Sequence, residues 1–212
     1  MIKMSISNKS LFISFEGIDG CGKSTQVQLL LDRLKNEKIH SILVREPGGT
    51  KISEEIRAIL LKTRNEQMAE RTEALLMTAS RAQLTKSIII PKLKSGFWVV
   101  ADRFKDSTLA YQGGGRGINL EYLINLNRFA TYNINPDITF FIDVSAIEAS
   151  KRLKSDKPDR IEGAGLDFQD SVRKQYLKLA KDNKKRIVTL DGCLKPHKLH
   201  DLIWKIILDK KV

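Results

Sequence analysis

Short apolar runs alternate with amphipathic stretches along the chain. Residues 11–15 are apolar or small and end on Glu16 and Gly17, the pattern of a buried strand. Val27, Leu30, Leu31 and Leu34 then recur at i, i+3, i+4 and i+7, one face of a helix. Residues 39–44 predict a second strand, halted by Arg45-Glu46-Pro47-Gly48-Gly49-Thr50. Ile52, Ile56, Ile59 and Leu60 mark a helix, and residues 69–86 another. Further strands are predicted over 97–101, 138–144 and 186–190. Helices are predicted over 122–131 and 146–153, through Val172, Tyr176 and Leu179, and through Leu199, Leu202, Ile203, Ile206 and Ile207. The apolar stretch 87–91 reads as a core segment, whereas 155–165, carrying Pro158, Gly163 and Gly165, breaks all periodicity.

No repeat or linker-like tract divides the 212 residues, so a single domain is expected. Apolar strands alternating with helices predict an α/β fold, a five-stranded parallel sheet flanked by helices on both faces. Ligands of such sheets gather beyond the carboxyl ends of the strands. Glu16, Arg45, Asp102 and Asp143 all fall there.

Gly17-Ile18-Asp19-Gly20-Cys21-Gly22-Lys23-Ser24, followed by Thr25, fits G-x-x-x-x-G-K-[ST] between a predicted strand and a predicted helix. The glycines let the backbone wrap an anion without Cβ clashes. Successive N–H groups and the positive end of the following helix supply the field. Lys23 is expected to reach the β- and γ-phosphates of a nucleoside triphosphate, and the Ser24 hydroxyl to ligate Mg²⁺. Phosphoryl transfer is the candidate chemistry.

Thirty-seven Lys and Arg against 25 Asp and Glu give a net charge of +12. The lysines are scattered in pairs such as Lys184 and Lys185, without a basic run interleaved with aromatics, so no nucleic-acid partner is expected. No apolar run approaches the ~18 residues of a membrane span, and no secretory h-region precedes Leu11. A soluble, cytoplasmic protein is expected. Cys21 and Cys193 lack metal-ligand spacing and are expected to be small buried thiols.

The segment 15–25, Phe-Glu-Gly-Ile-Asp-Gly-Cys-Gly-Lys-Ser-Thr, resembles the opening of the thymidylate kinases. So do Arg45-Glu46-Pro47-Gly48-Gly49-Thr50 with Glu55-Ile56-Arg57, and Asp102-Arg103-Phe104 with Ser107, Ala110, Tyr111, Gln112 and Gly113. Asp159-Arg160-Ile161-Glu162 resembles that family's lid, which would span about 152–166. The resemblance implies a P-loop NTPase fold and transfer of the γ-phosphoryl of ATP to dTMP, giving dTDP and ADP with Mg²⁺, in dTTP biosynthesis. It also implies a homodimer, for which apolar residues of 72–84 and 119–131 are the candidate surface.

By the same resemblance, Arg57 holds the acceptor phosphate and Arg103 lies between acceptor and donor, roles suited to a planar bidentate guanidinium. Asp102 acts through the Mg²⁺ water shell, and Asp19 faces the acceptor's 3′-hydroxyl and the metal. Arg81 contacts the thymine carbonyl, Gln112 meets the Watson–Crick edge, and Tyr111 packs near the sugar with Ser107 assisting. Met77 stands where the family usually stacks a Phe on the base. One branch of the family carries an arginine directly after the loop aspartate; here that position is Gly20. The missing cation is therefore expected from the lid, from Arg160, with Arg152 or Lys157 nearby.

Competing readings are a deoxynucleoside or other nucleoside monophosphate kinase, a GTP switch, and a nucleic-acid-binding ATPase. A deoxynucleoside kinase needs a base to activate a neutral hydroxyl and has no use for Arg57. A GTP switch should carry Asn-Lys-x-Asp, and the nearest string, Asn183-Lys184-Lys185-Arg186, fails at its last position.

Overall fold

Apolar runs that can bury both faces become the strands of a single sheet: β1 (Phe12–Glu16), β2 (Ser41–Arg45), β3 (Trp98–Asp102), β4 (Ile138–Asp143) and β5 (Ile187–Asp191). The computed structural model describes residues 10–63, 66–153 and 159–210. All pairings are parallel and the order is β2-β3-β1-β4-β5. The expected α/β architecture is thus present, with β1 at the centre. The chain leaves β1 for β2 on one side and later returns to β4 on the other. A crevice opens at the carboxyl end of a strand where connections part in this way.

Helices α1 (Lys23–Asn36), α2 (Lys51–Leu61) and α3 (Glu70–Leu84) follow the first two strands. Thr50 caps α2 by accepting from the Ser53 N–H at 3.1 Å. After β3 come α5 (Lys105–Thr108), a π-helical turn over Leu109–Gly115, and α6 (Leu120–Ala130). The rest is α7 (Ala146–Arg152), a 3₁₀ turn at Glu162–Ala164, α8 (Leu166–Asp182) and α9 (Pro196–Asp209). Two apolar clusters result. The larger one joins Phe15, Phe140, Phe141 and Tyr176 to Leu30, Leu34, Ile203 and Ile207; the smaller one is built on Phe12, Val44, Leu84, Val99 and Phe104.

Three expectations change. The second strand starts at Ser41 rather than at 39, because the Ile39 N–H returns to Leu34 O to close α1 and Lys38 turns with φ of +57°. The helix predicted over 69–86 does not stop there. It widens into a π turn at Thr85–Ile89 and continues as α4 (Ile90–Lys94), so the core segment 87–91 is helical. Pro91 brings no N–H to the preceding turn, and the helix widens at that place. Cys193 is exposed, not buried, since it sits in the turn after β5 at the edge of a cleft; Cys21 is buried as expected.

Candidate active site

Two cavities open over the carboxyl ends of the strands. A cleft of about 790 Å³ runs along residues 19–26 of the phosphate loop and α1, past Arg45, Asp102 and Arg152, to the Gly192–Pro196 turn. A side pocket of about 130 Å³ is lined by Met77, Arg81, Ser107, Thr108, Tyr111 and Gln112, with Pro47 and Leu61 at its edge. Asp19, Glu46, Arg57, Arg103 and Glu162 line both, so the spaces meet at a wall made of two arginines and three carboxyl groups.

The loop over residues 17–25 wraps as its glycines allow. Gly17 has φ of +143°, and a Cβ there would lie 2.6 Å from Ile142 O. Gly22 turns left-handed at the start of α1, whose first-turn N–H groups have no side-chain cap. An uncapped helix start with inward-facing N–H groups is an anion site. Lys23 is buried and donates to the loop's own Gly17 O at 3.1 Å and Ile18 O at 2.8 Å. Ser24 Oγ donates to Asp102 Oδ2 at 3.0 Å, which brings the two predicted metal-binding side chains together.

Arg103 follows β3 with φ of +72°. Its Nη2 stands 2.6 Å from Asp19 Oδ1 and donates to the Tyr111 hydroxyl at 2.9 Å, while Nη1 donates to Ser107 Oγ at 3.3 Å. Burial works against a charged Asp19, yet Arg103 and Lys23 outweigh it and hold the carboxyl down to about 2. Burial also opposes the Arg103 charge, and Asp19 reverses that, raising Arg103 well above its ordinary value. Arg57 donates to Pro47 O at 2.9 Å. Burial and the adjacent Arg45 lower its guanidinium from the ordinary value, against the opposing charges of Glu54 and Asp159.

Beneath this wall lies a layer of buried charged groups. Glu16 is fully buried and accepts from Phe104 N at 2.8 Å, Ser107 Oγ at 2.6 Å and the Tyr176 hydroxyl at 2.7 Å. Burial, with the neighbouring Asp106, pushes its carboxyl up to about 7. Glu46 braces Arg81: Arg81 Nε donates to its Oε2 at 2.7 Å. Arg81 is 2% exposed and also donates to Thr108 Oγ1, Asn127 Oδ1 and Phe104 O. Its Nη2 also stands 2.6 Å from Glu46 Oε2, so all five of its N–H groups face protein acceptors and a ligand engages Arg81 only in exchange for one of them. Phe104 packs edge-on to Phe12 in the smaller core and does not line the pocket; Met77 does. Asp143, at the fourth strand end, is taken by Arg173 at 2.6 Å, away from both cavities.

Glu73 is the largest omission. It is 1% exposed and accepts from Gln112 Nε2 at 2.7 Å, Arg160 Nη1 at 2.6 Å and Arg116 Nη2 at 3.3 Å. Glu73, Met77 and Arg81 recur every four residues on α3, a spacing that shares one face. Arg160 therefore points at α3 rather than into the large cleft, with its Nε on Leu60 O at 2.9 Å. Asp159 and Glu162 brace that turn: Asp159 Oδ1 accepts from Ile161 N and Glu162 N, and Glu162 Oε2 accepts from Asp159 N. Residues 154–158 of the expected lid, Lys157 included, lie outside the described residues. Arg152 lines the large cleft and donates to Gly192 O at 2.9 Å.

Residues 15–203 match the family model described as thymidylate kinase. The chain belongs to the thymidylate kinase family. It is 49% identical to a thymidylate kinase of Fervidobacterium nodosum, the match covering 92% of this chain and 98% of that protein. Identity is 47% to one of Kosmotoga olearia, over 93% of this chain and 95% of that one. A crystal structure of thymidylate kinase from Ehrlichia chaffeensis superposes with a TM-score of 0.77 at 33% identity, covering 94% of this chain and 99% of that one. As a member of this family the chain is a phosphotransferase on a P-loop fold. Among the described residues, no helix is long and apolar enough to cross a membrane.

Proposed function

We infer that the chain transfers the γ-phosphoryl group of ATP to dTMP, giving dTDP and ADP, as a step of dTTP biosynthesis. The observation that carries the reading is the shared wall: Asp19, Arg57 and Arg103 line both the cleft of the phosphate loop and the pocket of Met77, Arg81, Ser107, Tyr111 and Gln112. A triphosphate in the cleft and a monophosphate nucleotide in the pocket present their phosphates to each other at that wall. The acceptor is already ionised at neutral pH, so positioning and charge neutralisation suffice and no general base is required. Arg57, crowded by Arg45, takes the acceptor phosphate. Arg103 spans acceptor and γ-phosphoryl, and Lys23 exchanges the loop carbonyls it now holds for β- and γ-oxygens. Gln112, Arg81 and Met77 receive the base, while Tyr111, Ser107 and Asp19 face the sugar.

Ser24 and Asp102 fit Mg²⁺. They offer two hard oxygen donors within 3.0 Å of each other beside the loop, leaving phosphate oxygens and waters to complete a six-coordinate shell. When bound, Mg²⁺ neutralises charge on the β- and γ-oxygens.

The catalytic arginine belongs to the lid, about 152–166, and is Arg160. Supporting this, Gly20 has φ of +82° and a Cβ there would meet Ala149 O at 2.3 Å, so the loop has no room for a side chain at the position where some relatives carry arginine. Among the described residues Arg160 Nη2 is buried without a partner, and exchanging Glu73 for phosphate oxygens would satisfy it. The protein acts as a cytoplasmic homodimer through the face bearing Leu75, Tyr122 and Phe129, which are 57%, 73% and 83% exposed. Aromatic surface this open favours a partner.

A monophosphate panel tests the activity: dTMP, dUMP, UMP, dCMP and dGMP, each with ATP and Mg²⁺, against single-stranded DNA as a rival stimulant. Preferential formation of dTDP is expected. ATP turnover stimulated by DNA, with no diphosphate product, overturns the reading.

A further inference from the structure

Gln112 reaches the acceptor pocket from the π turn after α5, with its amide nitrogen tied to Glu73 Oε1 at 2.7 Å. An amide has a donor end and an acceptor end of nearly the same shape, and which end faces a ligand depends on what holds the other. An ionised carboxylate can only accept, so a buried Glu73 compels Gln112 to turn its NH₂ toward α3. Among the described residues no donor engages the Gln112 side-chain oxygen, which leaves that oxygen for a ligand in the pocket.

Resting on the function proposed above, we propose that Glu73 is a positioning residue for base selection. It fixes the Gln112 amide so that its carbonyl oxygen reads pyrimidines carrying a hydrogen on N3. Thymine and uracil carry that N3–H. Cytosine presents a lone pair at N3, so acceptor meets acceptor, and buried polar groups left unpaired discriminate strongly. The geometry keeps Glu73 charged for this purpose. Burial disfavours its anion, but the hydrogen bonds from Gln112 and Arg160 and the charge of Arg116 hold the carboxyl below its ordinary range. Arg116 Nη2, at 3.3 Å, remains on Glu73 when Arg160 departs for the triphosphate. The lock therefore persists through lid closure. Gln112 supplies the contact; Glu73 acts only through it.

The test compares kcat/KM for dTMP and dCMP in the full-length enzyme, in Glu73→Gln, in Gln112→Met and in the double variant. A glutamine at 73 can donate or accept, so the Gln112 amide loses its fixed direction. The dTMP-to-dCMP ratio is expected to fall about 10- to 100-fold in Glu73→Gln, with no further fall when Glu73→Gln is added to Gln112→Met. Any loss through Arg160 affects both substrates alike and cancels in the ratio. If Glu73→Gln does not fold, Glu73→Asp replaces it. That carboxylate keeps its charge but retreats by about 1.5 Å, one C–C bond, and the ratio should fall likewise. An unchanged ratio in the folded variant, or an equal fall in both backgrounds, overturns the proposal. An unmodified enzyme that makes no dTDP overturns instead the function on which it rests.

Discussion

Arg103 Nη2 stands 2.6 Å from Asp19 Oδ1, and this contact ties the turn after β3 to the phosphate loop. The pair lies in the wall common to both cavities. Asp19 therefore holds the guanidinium at the place where two phosphates must meet. A charge fixed in advance of the reaction needs no reorganisation when negative charge moves between donor and acceptor.

Replacing Arg103 tests that arrangement directly. Arg103→Ala should retain its far-UV circular dichroism while kcat falls by at least about 100-fold. Asp19 should meanwhile become easier to protonate, because it loses its nearest cation and keeps Lys23, 4.0 Å away, and the Tyr111 hydroxyl at 3.2 Å. A kcat close to that of the unmodified enzyme would remove Arg103 from catalysis.

Glu16 gives the pH dependence its sign. Its folded carboxyl titrates near 7, against an ordinary value of 4.5. Between those values the folded state holds more protons than the unfolded chain, so stability falls as pH rises. That contribution is fully present below about 4.5 and lost by about 7. Glu16→Gln removes it, and the hydroxyls of Ser107 and Tyr176 can turn to accept from the new NH₂. The variant's melting temperature should gain on the unmodified protein by roughly 5–10 °C between pH 4.5 and 7. A difference that stays constant across this window refutes the assignment.

Why some of this was legible in the sequence is physical. The inner strands β1, β3 and β4 are apolar on both faces and the phosphate loop needs glycine at fixed offsets, so neither depends on distant partners to be recognised. Glu16 and Glu46 are different. Each lies at or just past a strand end, but Glu16 holds Phe104 and Ser107 while Glu46 braces Arg81. Their partners are 35 to 160 residues away, and no local spacing announces them. Glu73 was within reach, since it shares a helical face with Met77 and Arg81, but its load comes from Gln112 and Arg160, on two other segments. The π turn at Thr85–Ile89 hid behind an ordinary apolar run.

Asp102 accepts from Ser24 Oγ beside the loop, so its carboxylate should matter most when Mg²⁺ is scarce. Asp102→Asn keeps the shape but removes the charge. The Mg²⁺ concentration for half-maximal rate should rise about 10-fold or more, with the rate partly recovered at saturating metal. An unchanged Mg²⁺ dependence separates Asp102 from the ion.

Phe129 projects from α6 at 83% exposure, and Tyr122 on the same helix is 73% exposed. If this face joins two copies, Phe129→Asp places a charge in the interface. Sedimentation should then show a monomer where the unmodified protein is a dimer. A dimer that survives the change moves the interface elsewhere.

Gly20 and Arg160 bear on one question, which side supplies the last cation to the transferred group. In the loop, a side chain at 20 collides with Ala149 O, and the backbone there is one that L residues rarely adopt. On the lid, Arg160 has a buried Nη2 without a partner among the described residues and a carboxylate to leave behind. Arg160→Ala should lower kcat by about 10²-fold or more. The KM for dTMP should change less than about threefold, because Glu73 keeps Gln112 and Arg116. Adding Gly20→Arg to Arg160→Ala should not restore the rate and should lower the melting temperature, since the new side chain must displace α7 to enter. Restoration of kcat in the double variant would show that the loop can carry the charge after all. If Arg160→Ala alone turns over normally, the cation comes from another residue, and Arg152, already lining the cleft, is the next to replace.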